Sequence, residues 1–246
     1  MLRPLTGRDE LAIDPSCPGE GTRLVERLLM TAPGAAADAS RVATLTVSER
    51  DRLLAAIYQA CFGDRVACVA SCEGCGERFE FSFLLAALLA HQRQSVSSEA
   101  RGPDASGFYE LPNGARFRLP TLDDLGAVAG LPPERAVALL RQRCVEGEVD
   151  REAEPIQEAM AHLAPVLDLD VDTSCPACGR RQGVRFSMEA FLLRALAAER
   201  RYLTREVHRL ARAYGWSLDD ILSLSRDDRR TLVRHVEGEA AREWAS

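Results

Sequence analysis

The chain has 246 residues, 46% of them hydrophobic, and a formal net charge of −6. This is ample apolar content for one large or two small cored domains, and the acidic balance argues against bulk attraction to nucleic acid or anionic lipid. The longest apolar run, Phe83 to Ala90, falls far short of the roughly 20 residues a membrane-spanning helix needs.

In Arg3-Pro4-Leu5-Thr6-Gly7-Arg8-Asp9-Glu10, Thr6 and Asp9 have capping-box spacing, so a short helix opens there and Pro15 and Pro18 stop it. A second helix is expected from about Thr22 to Met30, with Leu24, Val25, Leu28 and Leu29 on one face. A small-residue linker, Ala32 to Ser40, follows it. Ser48 is expected to cap a strong helix carrying Leu53, Leu54, Ile57 and Cys61 at helical spacing, with Gly63 as a left-handed terminator.

Next comes Ser71-Cys72-Glu73-Gly74-Cys75-Gly76, flanked by the strand-like Arg65–Ala70 and Arg78–Phe83. From Gln92 to Ser106 the composition turns to Ser, Gln, Glu, Gly and Pro, the signature of a mobile loop. Phe108–Leu119 reads as a hairpin with Asn113-Gly114 as a type I′ turn. Thr121 and Asp124 make a capping box, and Pro132-Pro133 opens a helix with Ala136, Leu139 and Leu140 inward.

A helix near Ile156 to Leu167 feeds Ser174-Cys175-Pro176-Ala177-Cys178-Gly179, again between strand-like stretches. Matching Phe81-Ser82 to Phe186-Ser187 would place two extra residues in this second turn. A helix with Phe191, Leu192, Ala195 and Leu196 inward is expected next, then one with Val207, Leu210, Ala211 and Tyr214 ending at Gly215. Capping pairs Ser217/Asp220 and Ser225/Asp228 start two more, so three short helices should pack around Trp216.

The two CxxCG knuckles carry the chemistry. Each offers two thiolates around a tight turn, and a structural Zn²⁺ closes tetrahedrally with four, so Cys72, Cys75, Cys175 and Cys178 are the expected ligands of one structural zinc. Cys175 lies 103 residues after Cys72, so the metal would staple two distant segments. Cys61 and Cys68 fall on apolar stripes, where a free cysteine is ordinarily buried.

A redox reading would put CxxC at a helix N-terminus after a strand, whereas both motifs here lie between strands. His91, His162, His208 and His235 lack metal-ligand spacing, and no HExxH, P-loop, GxSxG or dinucleotide fingerprint is present. Catalytic residues are therefore not expected. All 31 basic residues are Arg, a coding bias of a GC-rich genome. In the C-terminal helices Arg205, Arg209, Arg212, Arg226, Arg229, Arg230 and Arg234 could meet phosphates, but the interleaved Glu and Asp read as a salt-bridged face. Eight cysteines without a charged-then-apolar leader do not suggest a secreted disulfide framework, and a reducing cytosol is the expected compartment.

The run Leu45-Thr46-Val47-Ser48-Glu49-Arg50-Asp51-Arg52-Leu53-Leu54, then Phe62-Gly63-Asp64-Arg65 and the CxxCG, resembles the T4-type baseplate hub assembly chaperone family of contractile phages and phage-tail-like injection systems. The opening Arg3–Glu10 and the closing Glu206-Val207-His208 through Trp216-Ser217-Leu218-Asp219-Asp220-Ile221-Leu222 are similar to the same family. The resemblance touches both ends and both knuckles and leaves out the insert at 92–150. It implies a non-enzymatic assembly factor or component of a contractile baseplate hub, with hub or spike proteins as partners, no membrane, and a cytoplasmic or particle-bound location. The alternatives are a zinc-ribbon regulator that binds nucleic acid and a CxxC thiol oxidoreductase.

The expected fold is α+β and mostly helical, with two pseudo-repeated helix–strand–knuckle–strand–helix units around one split zinc-ribbon-like centre. Its expected segments are a helical arm and linker (1–44), the first half-repeat (45–94), a mobile loop plus hairpin-helix module (95–150), the second half-repeat (151–200) and a C-terminal three-helix segment (201–246).

Overall fold

The computed structural model describes residues 1–32, 35–36, 39–94, 99–147 and 153–244. Among these the chain forms eleven helices and small antiparallel sheets, an α+β architecture in which helix predominates. It divides into two compact units, Met1–Asp38 with Glu189–Ser246, and Ala39–Met188. Parts of the expected linker and mobile loop (33–34, 37–38, 95–98), and the boundary expected at 150/151, lie outside the described residues.

In the first unit, α1 (Gly7–Ala12) opens on the expected box: the Asp9 carboxylate accepts the Thr6 N–H at 2.9 Å and two hydrogen bonds from Arg3 at 2.7 and 2.8 Å. α2 (Glu20–Leu28) buries Leu24, Val25 and Leu28. Where a linker was expected, the short strands β1 (Met30–Ala32) and β2 (Ala35–Ala36) pair.

The two helices expected after the second knuckle run together as one helix of 27 residues, Met188–Tyr214. Its middle, Ala197-Ala198-Glu199-Arg200-Arg201-Tyr202, contains no Gly or Pro to break it. The helix buries Leu192, Leu196, Leu203 and Leu210, a stripe at helical spacing. Two further helices, Leu218–Ser223 and Arg226–Trp244, complete the unit.

Trp216 is not their core. It is 39% exposed and stacks on the exposed Tyr214 at 4.9 Å, while Leu210, Ile221 and Val233 pack inside. Gly215, at φ +68°, turns the chain out of the long helix, and residues 212–220 all face solvent. Gly7 sits so close to the Leu218–Ser223 helix that a Cβ there would lie 2.8 Å from Leu222 Cδ2.

Several of the C-terminal arginines are used internally. Arg229, almost fully buried, donates to Glu206 at 2.7 Å and to Glu10 at 2.6 Å. Arg226 donates to the same Glu10 at 3.0 Å and to Glu199 at 2.7 Å. Arg230 pairs with Glu199 and, at 3.4 Å, with Glu206. Charges can be buried only when paired, and here α1, the long helix and the last helix supply each other's partners.

The second unit begins with α3 (Ala39–Ala43) and α4 (Val47–Phe62), the latter capped by Thr46 with Glu49 rather than by Ser48. Ser48 is the second residue of the helix, is buried, and donates its hydroxyl to the Pro165 carbonyl at 2.8 Å. Gly63 ends the helix with φ +81° and an extended ψ of −167°, a conformation open to glycine. β3 (Arg65–Ser71) and β4 (Arg78–Leu84) pair throughout, and α5 (Leu85–Gln94) follows without a break.

The inserted module carries β5 (Phe108–Glu110), β6 (Arg116–Arg118), α6 (Leu122–Val128), α7 (Pro133–Cys144) and an additional strand, β7 (Val145–Glu146), on the far side of β6. Its hairpin turn is not type I′. Only Gly114 has positive φ, because Pro112 fixes its own φ near the negative value a type I turn needs. The Gly114 N–H closes that turn on the Leu111 carbonyl at 2.9 Å, and a left-handed glycine finishes the three-residue loop. α8 (Ala153–Leu163) then leads to β8 (Asp168–Ser174) and β9 (Arg181–Ser187), paired throughout.

The expected cap Asp124 does more than cap. Its buried carboxylate accepts from Arg118 at 2.6 and 2.9 Å, from Arg143 Nε at 2.6 Å and from the Thr121 N–H at 2.9 Å. Burial works to raise its pKa, but these donors outweigh it and hold the carboxyl well below the usual aspartate range. A depressed folded pKa means the stabilisation is fully present above about pH 4 and lost as acid moves the pH down toward the folded value. Asp124→Asn should therefore cost about 3 kcal/mol at pH 7. It should also flatten the dependence of the urea midpoint on pH between about 2 and 5.

Candidate metal centre

Each knuckle is built by the hairpin that carries it. After seven residues of β3 the chain turns through residues 72–77 and returns in β4, and after seven residues of β8 it turns through 175–180 and returns in β9. Within the turns the Cys72 N–H donates to the Glu77 carbonyl at 2.8 Å and the Cys175 N–H to the Arg180 carbonyl at 2.9 Å. The Gly76 and Gly179 amides each donate at 2.9 Å to the carbonyl of the first cysteine. Both glycines stand near φ +75°, which is why a glycine follows each second cysteine.

The two turns are equal in length, so the extra pair of residues expected in the second is absent. Equal turns put Phe186 in the position of Phe83, not of Phe81. Those two rings meet edge to face, with centroids 5.2 Å apart and planes at 89°.

The knuckles come together. The four sulfurs of Cys72, Cys75, Cys175 and Cys178 all lie within 4.8 Å of one another, and among the described residues they are the group placed to hold a metal ion. They approach crosswise, Cys72 to Cys178 at 3.5 Å and Cys75 to Cys175 at 3.8 Å. Four thiolates at about 2.3 Å from one ion stand about 3.8 Å apart on a tetrahedron's edges, so the donor set fits. In each knuckle the first cysteine is buried and the second exposed. Phe79 packs on Cys72 and Cys175, with Ala70 and Phe81 around them, so the inner sulfurs are shielded from water.

The electrostatics follow from hydrogen bonds. The amides of Cys75 and Gly74 point at the Cys72 sulfur, the latter at 3.3 Å, and pull that thiol down to about 6. For Cys75 the Glu77 amide works in the lowering direction. It is outweighed by the sulfurs of Cys178, Cys72 and Cys175 together with burial, and the thiol is pushed up to about 12.

Polar contacts the sequence did not reveal tie the two segments together. Gln182 on β9 reaches across, accepting the Glu73 N–H and donating to the Ser71 carbonyl, both at 3.0 Å. Asp51 on α4 is buried and accepts the Leu167 N–H at 2.8 Å, just before β8. Set between Arg50 and Arg52, Asp51 reads as a surface helix residue, and only the fold shows its buried role. Cys17, Cys61, Cys68 and Cys144 do not join the cluster, and no histidine does among the described residues.

The fold and site thus define an α+β protein with a four-cysteine, metal-competent centre split across distant segments. Comparisons with protein-family models, with characterised proteins and with solved structures found no match. No helix among the described residues is long and apolar enough to cross a membrane.

Proposed function

We propose that the chain is a non-enzymatic assembly factor or structural component of a contractile, phage-like baseplate hub. In this reading it acts by protein–protein contact and is held together by one structural zinc on Cys72, Cys75, Cys175 and Cys178. The observation that carries the zinc is the closure of two knuckles, 103 residues apart, into four sulfurs at tetrahedral spacing. A full set of four thiolates leaves no open position for substrate, the arrangement of a structural site.

The two halves of the centre read as a pseudo-repeat. β3 and β8, β4 and β9, and each pair of knuckle cysteines correspond at one constant offset, and the residues before them, Asp64 and Leu167, accept the N–H of Leu85 and Met188 alike at 2.9 Å. A staple that bridges such halves supplies rigidity where the sheets are only two or three strands wide.

The hub reading rests on the resemblance carried by Leu45–Leu54, Phe62–Arg65, the knuckles and both chain ends. It is supported by the way those ends are used: Arg3–Glu10 and Glu206–Leu222 belong to one unit, and Glu10 and Glu206 share Arg229. Arg226 and Arg229 are occupied in that network, which weighs against a phosphate-binding helix and the nucleic-acid alternative. Both CxxC motifs sit in turns between strands, away from the helix N-terminus a thiol oxidoreductase uses. Co-expression with the hub and spike proteins of a contractile particle should give a complex that survives gel filtration. Separate elution of every pair would contradict the hub reading.

A further inference from the structure

Between α7 of the inserted module and α8 lies a cavity of about 210 Å³ that neither the zinc nor the hub reading uses. Its lining is almost wholly apolar and includes Pro120, Leu140, Cys144, Ile156 and Met160. The cation that joins them is Arg141, in the last turn of α7. Two positions along the same helix, Arg143 is spent on Asp123 and Asp124. Arg141 is different: its Nε is buried and has no hydrogen-bond partner. A guanidinium presents rigid donors suited to a carboxylate, and a buried unpaired donor is costly.

We infer that this cavity binds the carboxylate of a medium-chain alkanoate, with the guanidinium of Arg141 taking the head group and the apolar walls the tail. Size sets the length. At about 30 Å³ per water-sized group, 210 Å³ takes about seven such groups, or an alkyl chain of about six to eight carbons. The lining also decides between a fatty acid and the carboxyl end of a partner polypeptide. A peptide would bring amide groups that need partners inside the cavity, where Gln157 is the other polar side chain on the wall. An alkyl chain brings none. The inference rests on the facing residues of α7 and α8 and uses none of the four clustered cysteines, so its failure is distinguishable from failure of the zinc or the hub reading.

The test is calorimetric titration of the full, metal-loaded chain with octanoate, 1-octanol, and an acetylated Leu-Val-Leu peptide with a free carboxyl end. Octanoate should bind at least about tenfold more tightly than octanol, the worth of one charge-assisted hydrogen bond, and more tightly than the peptide. Arg141→Gln should bring octanoate down to the octanol level while octanol binding is retained, which shows that the variant's cavity is intact. Met160→Trp, which fills the cavity, should abolish both. Equal binding of octanoate and octanol to the natural chain would overturn the inference, as would no binding of either, binding of the peptide alone, or unchanged octanoate affinity in Arg141→Gln.

Discussion

Cys175→Ser should lose the bound metal and unfold several kcal/mol more easily than the natural chain. A structural zinc contributes its binding free energy to folding, about 10–16 kcal/mol in small zinc-finger peptides at pH 7. The share here should be smaller, because the unit that holds the centre has an apolar interior of its own, with Leu54, Val66, Leu85 and Phe117 fully buried. Cys175 is itself buried, in contact with Phe79. Its loss would leave three thiolates around the ion and a polar hydroxyl in an apolar place. Urea unfolding followed by circular dichroism should show the shift. A chelator should move the natural chain to the variant's midpoint and leave the variant where it is. Cys68→Ser should keep its metal, since Cys68 lies outside the four-sulfur cluster. If chelation leaves the natural chain's midpoint unchanged, the metal is not part of the fold.

Arg229→Ala should destabilise the unit formed by the chain ends by about 3–5 kcal/mol, the cost of removing one partner from a buried ion pair. The arginine is enclosed, and Glu10 and Glu206 both lean on it at 2.6–2.7 Å. Without it, among the described residues, Glu10 keeps Arg226 and Glu206 keeps the longer contact to Arg230. The double variant Glu10→Gln with Arg229→Met should recover part of the loss, because it removes charge from both sides at once. Denaturant midpoints with unchanged slopes would measure this. A cost below about 1 kcal/mol for Arg229→Ala would mean that water reaches the carboxylates and that the network is a surface one.

Local chemistry made the site legible and long-range geometry did not. CxxCG announces its own turn, since two thiolates and a left-handed glycine are all the knuckle requires, and the four cysteines that come together are readable from it. The capping pairs Thr6/Asp9, Thr121/Asp124 and Ser217/Asp220 were equally readable, because each is a bond within four residues. Asn113-Gly114 alone carries a type I′ signature, and Pro112, whose fixed φ selects a type I turn, overrides it. The helix boundaries around Trp216 point to a core position, but Gly215 swings it out to stack on Tyr214. Asp51, Gln182 and the Glu10–Arg229–Glu206 triad were invisible for a different reason. Their partners lie 23 to 219 residues away in the chain, and in sequence a buried, paired charge looks like a solvated one.

The most direct test of the central claim is the zinc content of purified protein by elemental mass spectrometry, under reducing conditions, for the natural chain and for Cys175→Ser. One zinc per chain in the first and none in the second is the expected result, and it would establish that a single ion joins the two knuckles. No metal in the natural chain, with Cys72, Cys75, Cys175 and Cys178 all titrating freely with a thiol reagent, would contradict the account.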